Sequence, residues 1–175
     1  MSEPVVRRVR ADEWQQVRDL RLRALQDEVA AIAFVDSYEE ALARPDAFWQ
    51  ERAARAAAGD AACQVVAVVD GDWVGTVTVL VSSAGRSDDP GNAARGARAS
   101  LVGVYVDPRH RGTGVVETLL AEAVAWARSL GLDDVRLHVH EDNGRAQAAY
   151  RRCGFVLTGK RVEASVGAEL EMALA

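Results

Sequence analysis

The sequence predicts a mixed α/β (α+β) domain, a central sheet with helices on both faces. Three observations carry this. "CQVVAVVDGDWVGTVTVLVSS" (63–83) and "ASLVGVYV" (99–106) are rich in valine and threonine and read as strands. Val115, Val116, Leu119, Leu120, Ala123, Val124, Ala127 and Leu130 recur at three- and four-residue steps and read as a helix. The two kinds of segment also succeed one another in the order β, helices, β-hairpin, β, α, β, α, β, β, about seven strands in all. The 175 residues, 49% of them hydrophobic, suit a single domain spanning 1–175 with a full core.

Taken in order, "VVRRV" (5–9) is a short strand. Asp12 is placed to cap a helix through "EWQQVRDLRLRAL", whose Trp14, Val17, Leu20 and Leu25 fall near helical spacing. Residues 26–36 read as a connection. A second helix is expected from Ser37, and another from Pro45 or Asp46 to Ala58, with Gly59 just past its end. "DGD" (70–72) marks a hairpin turn. The polar stretch 84–98 reads as a mobile surface loop. Asp107-Pro108 ends the next strand, and Gly131 stops the long helix. "DVRLHVH" (134–140) alternates as a strand, 144–152 is a short helix ended by Gly154, and "FVLTGKRV" and "AELEMALA" are the closing strands.

Composition narrows the partners. A net charge of −5 argues against nucleic acid or anionic membrane as the main partner. Two cysteines, Cys63 and Cys153, make neither a disulfide framework nor a metal site, and read as reduced core residues. The N-terminal segment lacks the apolar region of a signal peptide, and no apolar run reaches the roughly 18 residues of a membrane span. A cytoplasmic protein is expected.

The chemistry-bearing stretch is "RHRGTG" (109–114), between a strand and a helix. The first four N–H groups of a helix lack intrahelical acceptors, and the macrodipole makes that end partly positive. Gly112 and Gly114 remove the Cβ that would hold an anion away, and Arg109 and Arg111 add charge at the rim. The turn reads as a phosphate cradle, or as an ordinary strand–turn–helix connection. The Gly-Lys-Ser/Thr of a Walker loop is absent, and Glu117 stands where a dinucleotide fingerprint needs glycine.

These residues resemble the GNAT superfamily of acyl-coenzyme-A-dependent N-acyltransferases. Arg109-His110-Arg111-Gly112-Thr113-Gly114 is similar to its pyrophosphate motif, Gln/Arg-x-x-Gly-x-Gly/Ala. About thirty residues on, Asn143, Ala146, Tyr150, Gly154 and Phe155 match its second signature. The resemblance covers 101–155 closely. A phosphate-binding domain of another fold would leave "NGRAQAAYRRCGF" unexplained. Val116 departs from the pattern: many members carry a small residue there, and a β-branched one is expected to crowd the phosphates or the adjacent strand.

The resemblance implies a mixed, mostly antiparallel sheet whose fourth and fifth strands splay apart. It implies an N-acetyltransferase that uses acetyl-CoA as cosubstrate, without metal, and acylates a primary amine of a small molecule or protein by direct attack in a ternary complex. A homodimer is a family-level expectation. The alternative is a non-catalytic acyl-CoA-binding module, favoured by Val116 and by the lack of an obvious base. Backbone groups from Val104 to Val106 would hold the pantetheine, with the Val106 N–H on the thioester oxygen. The amides of Arg111, Gly112, Thr113, Gly114 and Val115 would hold the pyrophosphate, with Arg109 at the rim. Tyr150 would be the acid toward the coenzyme A sulfur, or simply a packed tyrosine at the cleft edge. Asn143 would cap its helix or contact the pantetheine arm. Phe34, Tyr38, Tyr105 and His138 are the acceptor-pocket candidates. His138, His140, Glu39, Glu40 and Glu141 are possible bases, none distinguished by sequence, and a water relay would need none.

Overall fold

A computed structural model describes residues 2–83 and 96–175. Its strands are β1 (Val5–Arg8), β2 (Ala62–Val69), β3 (Asp72–Ser82), β4 (Arg98–Val106), β5 (Val135–His140), β6 (Phe155–Ala164) and β7 (Gly167–Leu174). Its helices are α1 (Trp14–Leu25), α2 (Ala30–Ala33), α3 (Tyr38–Leu42), α4 (Asp46–Ala57), α5 (Val115–Ser129) and α6 (Gly144–Arg152). The seven strands form one sheet in the order β1-β2-β3-β4-β5-β7-β6. Every neighbouring pair is antiparallel except β4 and β5, which run parallel.

The period-two alternation of β2 shows how the sheet takes helices on both faces. Cys63, Val65, Ala67 and Val69 join a core under α5 and α6, whereas Val66 joins a second core under α1 and α4. The apolar stripe of α5 is buried as its spacing predicts: Val115, Leu119, Leu120, Ala123, Val124 and Ala127 all face the sheet. The second core is built on Val17, Leu20, Trp49, Ala53 and Trp73. At the β2–β3 turn Asp70 and Gly71 both have positive φ, 51° and 89°, the geometry a tight hairpin demands. Cys63 and Cys153 are free thiols, the first fully in the core. Among the described residues no helix is long and apolar enough to cross a membrane.

Three local expectations are corrected or bounded. Asp12 does not cap α1, because a 3-10 turn, Ala11–Glu13, precedes that helix. Glu13 takes the polar role instead, accepting the Arg10 N–H at 2.8 Å and both Arg7 Nη groups at 2.6 and 2.9 Å. The 26–36 connection contains one helical turn, α2, started by the Asp27 carboxylate accepting the Val29 N–H at 3.2 Å. The expected mobile loop at 84–98 falls largely on residues 84–95, outside the described residues, and β4 already begins at Arg98.

The far side of the sheet is tied by a buried carboxylate. Glu171 on β7 accepts from Arg136 Nη1 on β5 at 2.7 Å and from the Thr158 hydroxyl on β6 at 2.9 Å. Burial alone would push this carboxyl up. The Thr158 hydroxyl, the Arg136 guanidinium and His138 together hold it below the ordinary glutamate value.

Two stability outcomes follow. Leu119→Ala should cost about 2–5 kcal/mol in chemical denaturation, because this fully buried side chain seats α5 on the sheet. A cost near zero would mean that α5 is not seated there. Glu171 is stabilising above its unfolded pKa, about 4.3, and that contribution is lost as pH falls through the lower folded value. The Tm gap between wild type and Glu171→Gln should therefore be widest at neutral pH and narrow below about pH 4. A gap independent of pH would contradict this assignment.

Candidate active site

The parallel ladder between β4 and β5 has three pairs, Ala99↔Val135, Ser100↔Arg136 and Leu101↔Leu137, and then stops. Both strands continue, to Val106 and His140, without pairing to each other. The cause is visible in β4. Opposite Thr76 and Thr78 of β3 stand Tyr105 and Val102, so β4 carries one extra residue, and Gly103 takes φ 62° at this bulge. Beyond it, Asp107 N–H bonds Val74 O of β3 at 2.8 Å. Strand alternation then turns the backbone groups of Val104 and Val106 away from β3, into the gap.

A cleft of about 480 Å³ fills the gap. Leu101 to Val106 form one wall, His138 to His140 and α6 residues including Asn143 and Tyr150 the other. The α2 segment with Phe34 closes one side, and Arg111, Gly112 and Val116 stand at the end next to α5. Gly112 and Gly114 have φ 75° and 90°, which side chains with a Cβ rarely adopt. A Cβ on either would meet no protein atom within 4 Å. The glycines therefore serve the turn's shape and leave open space before it. Gly114 caps α5 without a side chain, and the first helical bond is Thr118 N–H to Gly114 O at 3.1 Å. The amides of Val115 to Glu117 are thus without intrahelical acceptors.

Asp107 holds this turn. Its carboxylate accepts the Arg109 N–H at 3.0 Å and the Arg109 guanidinium at 3.0 and 3.1 Å. The Arg109 guanidinium is the main cause holding the Asp107 carboxyl below the usual range. Arg111 reaches the opposite way: Nε donates to Val106 O at 2.9 Å, and Nη2 pairs with the buried Asp27. Both arginines are thus engaged within the chain. Arg111 clamps β4, the turn and the α1–α2 connection together.

The sequence candidates separate by place. Val104, Val106, Arg111, Gly112, Asn143, Tyr150, Phe34, Tyr105 and His138 line the cleft. Arg109, Thr113, Gly114, Val115 and Tyr38 do not. Thr113 donates its hydroxyl to His110 O at 2.6 Å, Val115 turns its side chain into the core, and Tyr38 packs against the second core. Asn143 caps α6, its Oδ1 accepting the Ala146 N–H at 3.2 Å. Tyr150 is buried against Phe155, and burial pushes its phenol pKa well above the ordinary value, so the group keeps its proton.

The possible bases separate too. His140 is spent: Nδ1 accepts the Asp142 N–H at 3.1 Å, which leaves the Nε2 proton for Val166 O, also at 3.1 Å. Glu40 caps α3, and Glu141 accepts from Arg161 twice at 3.1 Å. His138 lines the cleft half-exposed, its Nε2 3.7 Å from the buried Glu171. Sequence reasoning missed Asp27, Glu169 and Glu171. No local pattern marks them: Asp27 and Glu171 gain their places from distant partners, and Glu169 lines the cleft only because β7 packs beside β5.

Comparison with known proteins follows from this geometry. The Acetyltransferase (GNAT) family model matches residues 14–155. The L-amino acid N-acetyltransferase AaaT of Escherichia coli K12 is 29% identical over 163 residues, covering 91% of this chain and 86% of its own. The aminoglycoside N(6')-acetyltransferase type 1 of Stenotrophomonas maltophilia is 33% identical over 93 residues, 53% of this chain and 58% of its own. A GNAT-family acetyltransferase structure from Streptococcus pneumoniae superposes with TM-score 0.76 at 18% identity over 98% of both chains. The family match runs from the first residue of α1 to the first residue of β6, and the chain belongs to the acetyltransferase (GNAT) family.

Proposed function

We propose that the protein transfers the acetyl group of acetyl-CoA to a primary amine, by direct attack while both substrates are bound. The observation that carries this is the open ladder between β4 and β5, which runs from the uncapped N-terminus of α5 past an unpaired strand edge. An extended, amide-containing arm with phosphates at one end has the chemistry this surface lacks. The amides of the 111–115 turn would take the phosphates, and the gap-facing groups of Val104 and Val106 the arm. The family membership supports the same reading. Acetyl-CoA supplies an electrophilic thioester carbonyl and a thiolate leaving group, so a C–N bond forms as the C–S bond breaks.

The chain's own groups then divide the work. The Val106 N–H is the donor toward the thioester oxygen, where negative charge grows. Tyr150 donates a hydrogen bond toward the sulfur. Its raised pKa lies above that of a thiol, about 8.5, so full proton transfer runs uphill and the hydroxyl acts mainly by stabilising thiolate charge. His138 is the proton acceptor we assign on the amine side, with its Nε2 3.7 Å from the Glu171 carboxylate. A cytoplasmic location and a homodimer complete the reading, the latter through edge strand β6, which exposes Val156 and Leu157. The two named relatives act on chemically different acceptors, amino acids and an aminoglycoside, so acceptor class has to be read from the pocket.

Calorimetric titration of acetyl-CoA, beside thiol release over an amine panel, tests the proposal. Binding with amine-dependent thiol release is expected. Binding without release would favour the non-catalytic module, and no binding would remove the cradle, with Val116 the first residue to suspect. Gly112→Glu should abolish acetyl-CoA binding while the protein stays folded, because it puts bulk and negative charge before the open amides. Tyr150→Phe should lower kcat roughly 10-fold or more with little change in acetyl-CoA KM. An unaltered kcat, with chemistry rate-limiting, would take Tyr150 out of the reaction.

A further inference from the structure

A second groove, of about 350 Å³, lies between α4 and strands β2 to β4. Phe48, Leu80 and Val102 give it apolar surface, and Glu51, Arg52, Arg55 and Gln64 give it polar groups. Val102 also lines the cleft between β4 and β5, so the two spaces meet at the bulge.

Among the described residues, arginines outnumber carboxylates in and beside the groove. Arg21, Arg44 and Arg55 are near enough to disfavour the charge of Arg52, and the Asp36 carboxylate partly offsets them. Asp36 answers Arg21 at 3.1 Å, and Glu51 answers Arg55 at 3.7 Å. Arg44 lies over the ring of Phe48. Arg52 rests near the Trp49 ring but has no carboxylate partner among the described residues. Burial, and then Arg21, push its pKa below the ordinary value. A half-buried guanidinium among like charges is costly unless an anion completes it.

An independent observation lies beside it. The Thr76 hydroxyl gives its proton to Val65 O at 2.8 Å, so its oxygen must accept from Gln64 Nε2 at 3.1 Å. That fixes the Gln64 amide and leaves Oε1 buried in the groove wall with no partner among the described residues. Among the described residues, then, Arg52 forms no ion pair with a carboxylate and Gln64 Oε1 has no donor, above an apolar floor. An α-amino acid carries a carboxylate, N–H donors and a side chain on one carbon. A polycationic amine would instead meet the guanidinium groups of Arg52 and Arg55.

We propose that this groove is the acceptor subsite and that it takes an α-amino acid, with Arg52 pairing the carboxylate. This rests on the acetyltransferase reading above. It makes Arg52 a specificity-determining residue and puts apolar side chains over Phe48, Leu80 and Val102.

The test compares the common α-amino acids with their α-amides and decarboxylated amines as acceptors, in wild type and in Arg52→Gln. At least one acid should exceed its matched amide in kcat/KM by roughly 10-fold or more, carried mainly by KM. Arg52→Gln should erase that ratio, leave the acetyl-CoA KM unchanged, and keep or raise Tm, since it removes a half-buried cation set among other guanidinium groups. Equal rates for acids and amides in wild type, or a ratio that survives in Arg52→Gln, would overturn the proposal. If no amine supports thiol release, the catalytic reading fails separately. Calorimetric binding of the same pairs to the coenzyme-A-saturated protein then decides the groove: an acid-over-amide preference lost in Arg52→Gln upholds it, and no preference overturns it.

Discussion

The ladder between β4 and β5 ends after Leu101 and Leu137, and the active site depends on that ending. A sheet this regular has every reason to stay closed, because a buried unpaired peptide group costs about 1–3 kcal/mol. The chain breaks the pairing with one inserted residue at Gly103. The insertion re-aims Val104 and Val106 into the space it opens. Parallel pairing makes the break tolerable: β4 reaches β5 through α5, so the strands are held by the helix packed on the sheet as well as by their shared hydrogen bonds. The opened edge then asks for an extended partner with its own amides, as sheet edges do in strand addition.

The same economy governs the charges around the cleft. Arg109 and Arg111 sit in the motif where a sequence reader puts phosphate-binding cations, yet the structure engages both within the chain. What faces the open space at Gly112 and Gly114 is backbone. Backbone amides need no side-chain entropy to stay in place, and they gain from the α5 dipole. Arg111 contributes by fixing the turn to Val106 and Asp27, and so sets the distance between the turn and the strand edge. Removing its charge would loosen the frame on which an anion sits.

Much of this was legible in the sequence, for a physical reason. The α5 stripe, the Asp70-Gly71 turn and the glycines at 112 and 114 are local features, where a few consecutive residues determine φ, ψ and face. The splay of β4 and β5 came through resemblance, and the glycine at 103 alone did not announce a bulge. The pairs Arg111–Asp27, Arg136–Glu171 and His138–Glu171 join residues 84, 35 and 33 positions apart, and no spacing rule reaches so far. Asp12 misled for a related reason. It has the right side chain for a cap, but Arg7 draws Glu13 into that role from an adjacent strand. Tyr38 has the chemistry of a pocket residue, and the capped start of α3 turns it toward the second core instead.

A chain that satisfies its local rules almost everywhere is most informative where it breaks them. Three such places line the two spaces among the described residues: the edge at Val104 and Val106 that β5 does not pair, the half-buried Arg52 set among other guanidinium groups, and Gln64 Oε1 without a hydrogen-bond donor. Each alone is a small cost that selection could remove with one substitution, for example leucine or methionine at 52 over the apolar floor. Val102 lines both the cleft and the groove that hold them. On the proposed function, the partners that would fill these places are the two substrates, whose binding would offset the cost of leaving the groups open.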